Sequence, residues 1–203
     1  MKASQLGARA MSWSWLFAVL LLVGCAASSE PGIKRESARA LSIEVEDNYA
    51  YLFGVLDSNL VNTLSDMVEQ HPNVTDLVLV DVPGSVDQQA TMEGARLIRR
   101  LGLNTHIAST GYVLSGGVDL FLGGVDRTIG PGAGVGVHAW SDGSAMTAEA
   151  LNIADPVHAV YVNFYLEMGI TERFYWFSLD AAPAERVYFL SPEEVYDFQL
   201  ATE

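Results

Sequence analysis

Two side chains in this sequence have the types and surroundings for acyl-transfer chemistry. Ser115 closes the run Gly111-Tyr112-Val113-Leu114 and is followed by Gly116-Gly117 and the helix-like stretch Val118 to Leu122. A hydroxyl placed there sits near a helix N-terminus, where backbone N–H groups favour developing negative charge. His138 ends the segment Gly134-Val135-Gly136-Val137-His138, in which strand alternation puts 134, 136 and 138 on one side and leaves space around the imidazole. Imidazole titrates near neutrality and is suited to take the serine proton. A third feature is the apolar run from Leu77, which breaks at Pro83-Gly84-Ser85-Val86 ahead of a helical pattern from Gln88 to Arg100. Backbone N–H groups in such a turn form an anion-binding hole.

Each feature also has a plainer reading. Ser115 fits an ordinary helix N-cap with glycines for close packing. His138 fits a hydrogen-bonded core histidine, and the Ser85 turn a simple strand-to-helix connection. Position 113 is Val, so the Gly-x-Ser-x-Gly elbow of the α/β-hydrolases is not expected. No Gly-x-Gly-x-x-Gly or Walker pattern calls for a nucleotide. His71, His106 and His158 have no comparable setting, and no His/Asp/Glu spacing suggests a metal site. The chemistry therefore requires neither metal nor cofactor.

The elements that must position these residues are short apolar runs alternating with amphipathic stretches. Leu41 to Val45, Ala50 to Leu56, Leu77 to Val82, Thr105 to Ser109, Val135 to Trp140 and Val187 to Leu190 are predicted strands. Asn59 to Gln70 places Leu60, Val61, Leu64 and Met67 on one helical face, and Val157, Val160, Tyr161, Phe164, Tyr165 and Met168 repeat with helical period. Ser191-Pro192-Glu193-Glu194 reads as an N-cap with Pro at the first helical position and Glu at the third. Strands alternating with helices predict an α/β domain on a mainly parallel sheet.

The N-terminus carries Lys2 and Arg9, then an apolar stretch from Trp13 to Val23, then Leu22-Val23-Gly24-Cys25. This is the order of a secretory signal, and its apolar part is shorter than the ~20 residues a bilayer core demands. The expected organisation is a signal peptide over 1–24, a flexible tether over 25–40 and a single domain over 41–203. Cys25 is the only cysteine, so no disulfide is available. Removing residues 1–24 takes away two positive charges and moves the formal charge from −14 to −16. Nucleic acid and anionic headgroups are poor partners for such a surface.

Taken in order, Pro-Gly-Ser-Val after an apolar strand, a helix ending Ala95-Arg96-Leu97-Ile98-Arg99, Ser115-Gly116-Gly117, Phe121-Leu122-Gly123-Gly124 and Gly136-Val137-His138 resemble the Clp-protease/crotonase superfamily. Within it the chain is most similar to periplasmic proteins related to the Clp proteolytic subunit, over about Ala50 to Leu200. Leu-Val-Gly-Cys resembles the bacterial lipobox. The superfamily resemblance implies a spiral of ββα units, a Ser115 nucleophile, a His138 general base, and oxyanion donors in the Ser85 and Gly116 N–H groups. It also implies homo-oligomers through C-terminal helices, with the aromatic stretch Phe174 to Phe177 available for an interface. The lipobox implies acylation of Cys25 and, with Ala26 after it, the periplasmic face of the outer membrane.

Two departures stand out. Ser85 occupies the place of a glycine, and Val187 that of the usual third acid before Phe189-Leu190-Ser191. Asp180, Glu185 and Asp142 are the alternative acids. The function expected is a membrane-anchored serine hydrolase acting on peptides or esters. The alternative is a ClpP-like binding or scaffolding lipoprotein that keeps the fold without the chemistry. An acyl-CoA enzyme is disfavoured because coenzyme A is cytosolic and its phosphates would meet an acidic surface.

Overall fold

Apolar alternation through β1 (Ser42–Glu46) and β2 (Tyr49–Phe53) makes a tight antiparallel hairpin, closed by Asp47 and Asn48 with Asp47 at φ 54°. Asp tolerates the positive φ that two-residue hairpin turns require. The computed structural model describes residues 39–141 and 146–202. The expected signal peptide, almost all of the tether including Cys25, and Asp142 lie outside the described residues.

From the hairpin the chain crosses repeatedly through helices to parallel strands. β2 is followed by α1 (Leu60–Gln70) and β3 (Asp76–Val82), then α2 (Gln88–Leu101) and β4 (Asn104–Leu114), then α3 (Gly116–Phe121) and β5 (Arg127–Ile129), and then β6 (Gly134–Val137). The sheet order is β1-β2-β3-β4-β6-β7, with β5 also on β4 and with β7 (Tyr188–Phe189) antiparallel to β6. The sheet is thus mixed and mainly parallel. β4 serves two partners: Thr105 to Ile107 pair with β5, and Tyr112 to Leu114 pair with β6. Between them the strand bends at Thr110, φ 59°, whose N–H donates to the Pro131 carbonyl. This bend separates the lower sheet from the upper end that carries Ser115.

Leu60, Leu64 and Met67 of α1 and Met92, Ala95 and Ile98 of α2 join Leu77, Leu79, Ile107 and Val113 of the strands in one buried core. On the other face of the sheet, Asp76 accepts from Asn104 Nδ2 and pairs with His106 Nε2, whose Nδ1 meets Thr128 Oγ1 at 2.6 Å. That polar row across β3, β4 and β5 accounts for His106.

α4 (Pro156–Glu167), α5 (Glu172–Ala181) and α6 (Pro192–Asp197) complete the described fold. Asp155 caps α4, and Ser191 caps α6 with the full reciprocal capping box through Glu194. α5 is the helix that contains Phe174 to Phe177. Phe174 and Tyr175 are buried, while Trp176 packs on His158 and Phe177 packs on Tyr188 and Phe198. All four aromatics are therefore engaged within the subunit. Among the described residues no helix is long and apolar enough to cross a membrane.

Candidate active site

β4 ends in Leu114, and Ser115 stands at φ 52°, ψ −124° before the chain enters α3. A non-glycine residue in that region costs about 1–3 kcal/mol and persists only where its surroundings enforce it. Here the Ser115 N–H donates to the Gly136 carbonyl and its carbonyl accepts from the Val118 N–H. The two following glycines make the turn sterically feasible. A Cβ on Gly117 would lie 2.6 Å from the Val82 carbonyl oxygen, and one on Gly116 would lie 2.5 Å from Ser85 Cβ. They let α3 press onto the end of β3 and the Ser85 turn.

A strained serine at the apex of a strand–turn–helix is the geometry of a nucleophile elbow. The chain reaches it without the Gly-x-Ser-x-Gly signature, position 113 being Val. Ser115 also occupies the N-cap position, yet its side chain makes no capping hydrogen bond. The hydroxyl is not committed to holding the helix.

His138 follows β6 and is half-buried. Its Nδ1 lies 2.8 Å from the Ala139 carbonyl. A carbonyl only accepts, so Nδ1 carries the proton and Nε2 keeps its lone pair. Ala139 is itself fixed, its N–H donating to the Ala182 carbonyl at the end of α5.

Ser115 and His138 line the same two spaces. One is an open groove of about 590 Å³, walled by Ser85, Val86, Gln88, Trp140, Val157 and Tyr161 among others. That is within the range of small-ligand sites. The other is an inner cavity of about 30 Å³ bounded by Gln88, Asp119, Trp140, Tyr161, Tyr165 and Tyr175 among others. It has room for about one water molecule. Among the described residues no hydrogen bond joins Ser115 to His138; catalytic contacts of this type often tighten only when substrate is bound.

Ser85, which lines this groove, meets Gly116. The Ser85 amide nitrogen lies 3.3 Å from where a Cβ on Gly116 would stand. Gly116 is the first residue of α3, so its N–H has no acceptor within the helix. Gly84 takes the positive φ of the turn, 139°, and Ser85 is not among the positive-φ residues. A serine at position 85 therefore needs no glycine-like backbone. Its Oγ accepts from the Asp87 N–H and from Thr91 Oγ1, fastening the turn to the start of α2.

The acids proposed from the sequence lie elsewhere. Asp180 on α5 and Glu185 beyond it are exposed, and neither lines the groove or the cavity. His138 Nδ1, the atom such an acid would hold, is already taken by the Ala139 carbonyl.

An acid that sequence reasoning missed is Asp119, one turn into α3. It is 6% exposed and accepts from Gln88 Nε2 at 2.5 Å and Tyr165 Oη at 2.7 Å. Burial pushes its carboxyl up from the ordinary range, while those two hydrogen bonds and the neighbouring His138 pull it back. The signal was available: Asp119 is the one charged residue inside the apolar run Val118 to Leu122.

The wall beyond is aromatic. Trp140 stacks on Tyr161 and Tyr161 on Tyr175, and the Tyr175 hydroxyl joins Trp140 Nε1 to the buried His158. His158 is thus a wall residue tied to Tyr175.

No known protein family's sequence pattern and no curated protein matches the chain. Solved structures do. A Legionella pneumophila protein named as an enoyl-CoA hydratase/isomerase (crotonase) aligns at TM-score 0.51 and 15% identity, covering 80% of this chain and 68% of its own. The fold is crotonase-like, a mixed α/β architecture on a mainly parallel sheet. A Pseudomonas aeruginosa protein aligns at TM-score 0.50 and 18% identity over 79% of this chain and 75% of its own. A membrane-bound stomatin-specific protease aligns at TM-score 0.48 and 15% identity over 78% of this chain and 80% of its own. At such identities the agreement concerns backbone architecture, and the function rests on the site itself.

Proposed function

We propose that this protein is a membrane-anchored extracytoplasmic serine hydrolase acting on peptides or esters. The observation that carries the reading is Ser115, held at a positive φ on a strand-to-helix turn with an uncommitted hydroxyl, on the same groove as His138 with Nε2 free to accept. In the proposed reaction Ser115 Oγ attacks the substrate carbonyl as its proton passes to His138 Nε2. The oxyanion is held by the N–H groups of Gly116 and Ser85, each such donor being worth about 3 kcal/mol. Collapse of the intermediate expels the leaving group, which takes the proton from His138. Water then attacks the acyl-serine ester with His138 again as base, releasing the acid and restoring Ser115. Acylation of Cys25 would hold the domain to the periplasmic face of the outer membrane.

The test is reaction of the full chain, in detergent, with a fluorophosphonate probe. Wild type should label on Ser115, with labelling lost in Ser115→Ala and at least 100-fold slower in His138→Ala. The second reading, a ClpP-like scaffold that binds without catalysis, is favoured by the missing hydrogen bond between the pair. Folded wild-type protein that fails to label would decide for it.

A further inference from the structure

In a serine–histidine–acid site the acid does two jobs: it holds the imidazole in one tautomer and it stabilises the imidazolium formed in the reaction. In this site the first job is done by a backbone carbonyl, that of Ala139 on Nδ1. We infer that the second is done by Asp119, a positioning residue whose buried carboxylate stabilises the charge His138 acquires when Ser115 gives up its proton. The inference rests on the hydrolase reading above.

Three observations carry it. Asp119 lines the inner cavity together with Ser115 and His138, and Gln88 lines both that cavity and the groove. The carboxylate is set by two donors from different helices, Gln88 at the start of α2 and Tyr165 on α4. Among the described residues no Lys or Arg forms a salt bridge with it, and His138 is the group whose positive charge favours its ionised form. Burying an acid without a cation is costly. Packing does not require it, because an asparagine would satisfy Gln88 and Tyr165 equally well after amide flips. The charge has a use if His138 becomes positive during the reaction.

The titratable groups facing Asp119 are His138 beyond β6, Tyr161 and Tyr165 on α4, and Tyr175 on α5, while α2 presents the uncharged Gln88. Burial holds the three phenols above their ordinary range, so they stay neutral throughout the useful pH span. Protonation of Asp119 on the acid side would remove the stabilising charge. Gln88 stabilises the ionised carboxylate, so losing it makes Asp119 protonate at higher pH.

The experiment is the rate of fluorophosphonate labelling of the full chain against pH, for wild type, Asp119→Asn and Gln88→Met. Asp119→Asn should keep a cooperative unfolding transition and label Ser115 about 10- to 100-fold more slowly, less than the loss seen when an acid's two jobs go together. Gln88 is half-buried at a helix start, so Gln88→Met keeps the test available should Asp119→Asn not fold. Its acid limb should move to higher pH, which a purely structural role would not produce. Wild-type rates and an unmoved acid limb in folded variants overturn the role of Asp119 and leave the Ser115–His138 pair standing. No labelling in wild type overturns the hydrolase reading and this inference with it.

Discussion

Ser115 carries its cost in its own backbone. Its φ of 52° is one of four positive values among the non-glycine residues described, and the only one of the four that opens on the groove. The strain is separable from the hydroxyl. Ser115→Ala keeps the strain of the positive φ and loses the nucleophile, whereas Ser115→Gly loses both the strain and the nucleophile. Relief of about 1–3 kcal/mol, less about 0.4–1 kcal/mol for the greater freedom of glycine in the unfolded chain, leaves Ser115→Gly about 1 kcal/mol more stable than Ser115→Ala. Denaturant titration of the two variants checks this; a lower midpoint for Ser115→Gly, by about 0.4–1 kcal/mol, would mean the turn holds no strain. Ser115, His138, Ser85 and Gly116 were legible as candidates because glycines and strand ends mark them. The seating of that turn was not, because it comes from how Gly117 of α3 sits on Val82 of β3, a contact no local pattern records. The burial of Asp119 could be read from its apolar neighbours, but its partners could not, since they lie 31 and 46 residues away in sequence.

At the scale of elements, the site depends on where α3 is seated. Its six residues are too few for a helix to be stable alone. One end is fixed by Gly116 and Gly117 against β3. The other is fixed by Arg99 of α2, whose Nε donates to the Gly123 carbonyl and whose Nη2 donates to the carbonyls of Leu122 and Met168. Arg99 thus joins the C-terminal ends of α3 and α4. Arg99→Met keeps much of the aliphatic stem and removes those donors. The expected result is a loss of about 2 kcal/mol, read as a fall of several degrees in Tm, together with slower labelling of Ser115 as α3 loosens. Unchanged Tm and labelling would show that the glycine end alone seats the helix. The long elements were readable because their apolar faces follow one period, as in α1 and α2. β5 was not, since Arg127–Ile129 is three residues long and its buried member is an arginine whose guanidinium donates to the Leu200, Gly124 and Gln199 carbonyls. α5 was obscured because neighbours cover more than one side of it, so Phe174 to Phe177 ring the helix instead of forming a stripe.

For the whole molecule, charge and anchoring pull in different directions. A chain of formal charge −14, or −16 without residues 1–24, is repelled by anionic headgroups, so electrostatic adhesion cannot keep it on a membrane. Attachment through a lipid would draw on acyl chains, at about 0.8 kcal/mol per buried methylene, and more than one chain is needed for durability. This makes the proposed lipid on Cys25 separable from every other mode of association. Cells expressing the wild type should hold the protein in the membrane fraction, resistant to alkaline carbonate and high salt and released by detergent. It should also incorporate a fatty-acid probe. Cys25→Ser should take up no probe, and any exported protein should fractionate as soluble with an unchanged thermal unfolding transition, because the domain from Leu41 onward packs its own core. Retention of Cys25→Ser in the carbonate-washed membrane would assign the attachment to the apolar stretch Trp13 to Val23 itself. Release of the wild type by carbonate would remove the anchor altogether. Either result leaves the Ser115 groove as the labelling experiment finds it, since Cys25 and the groove make independent claims on the sequence.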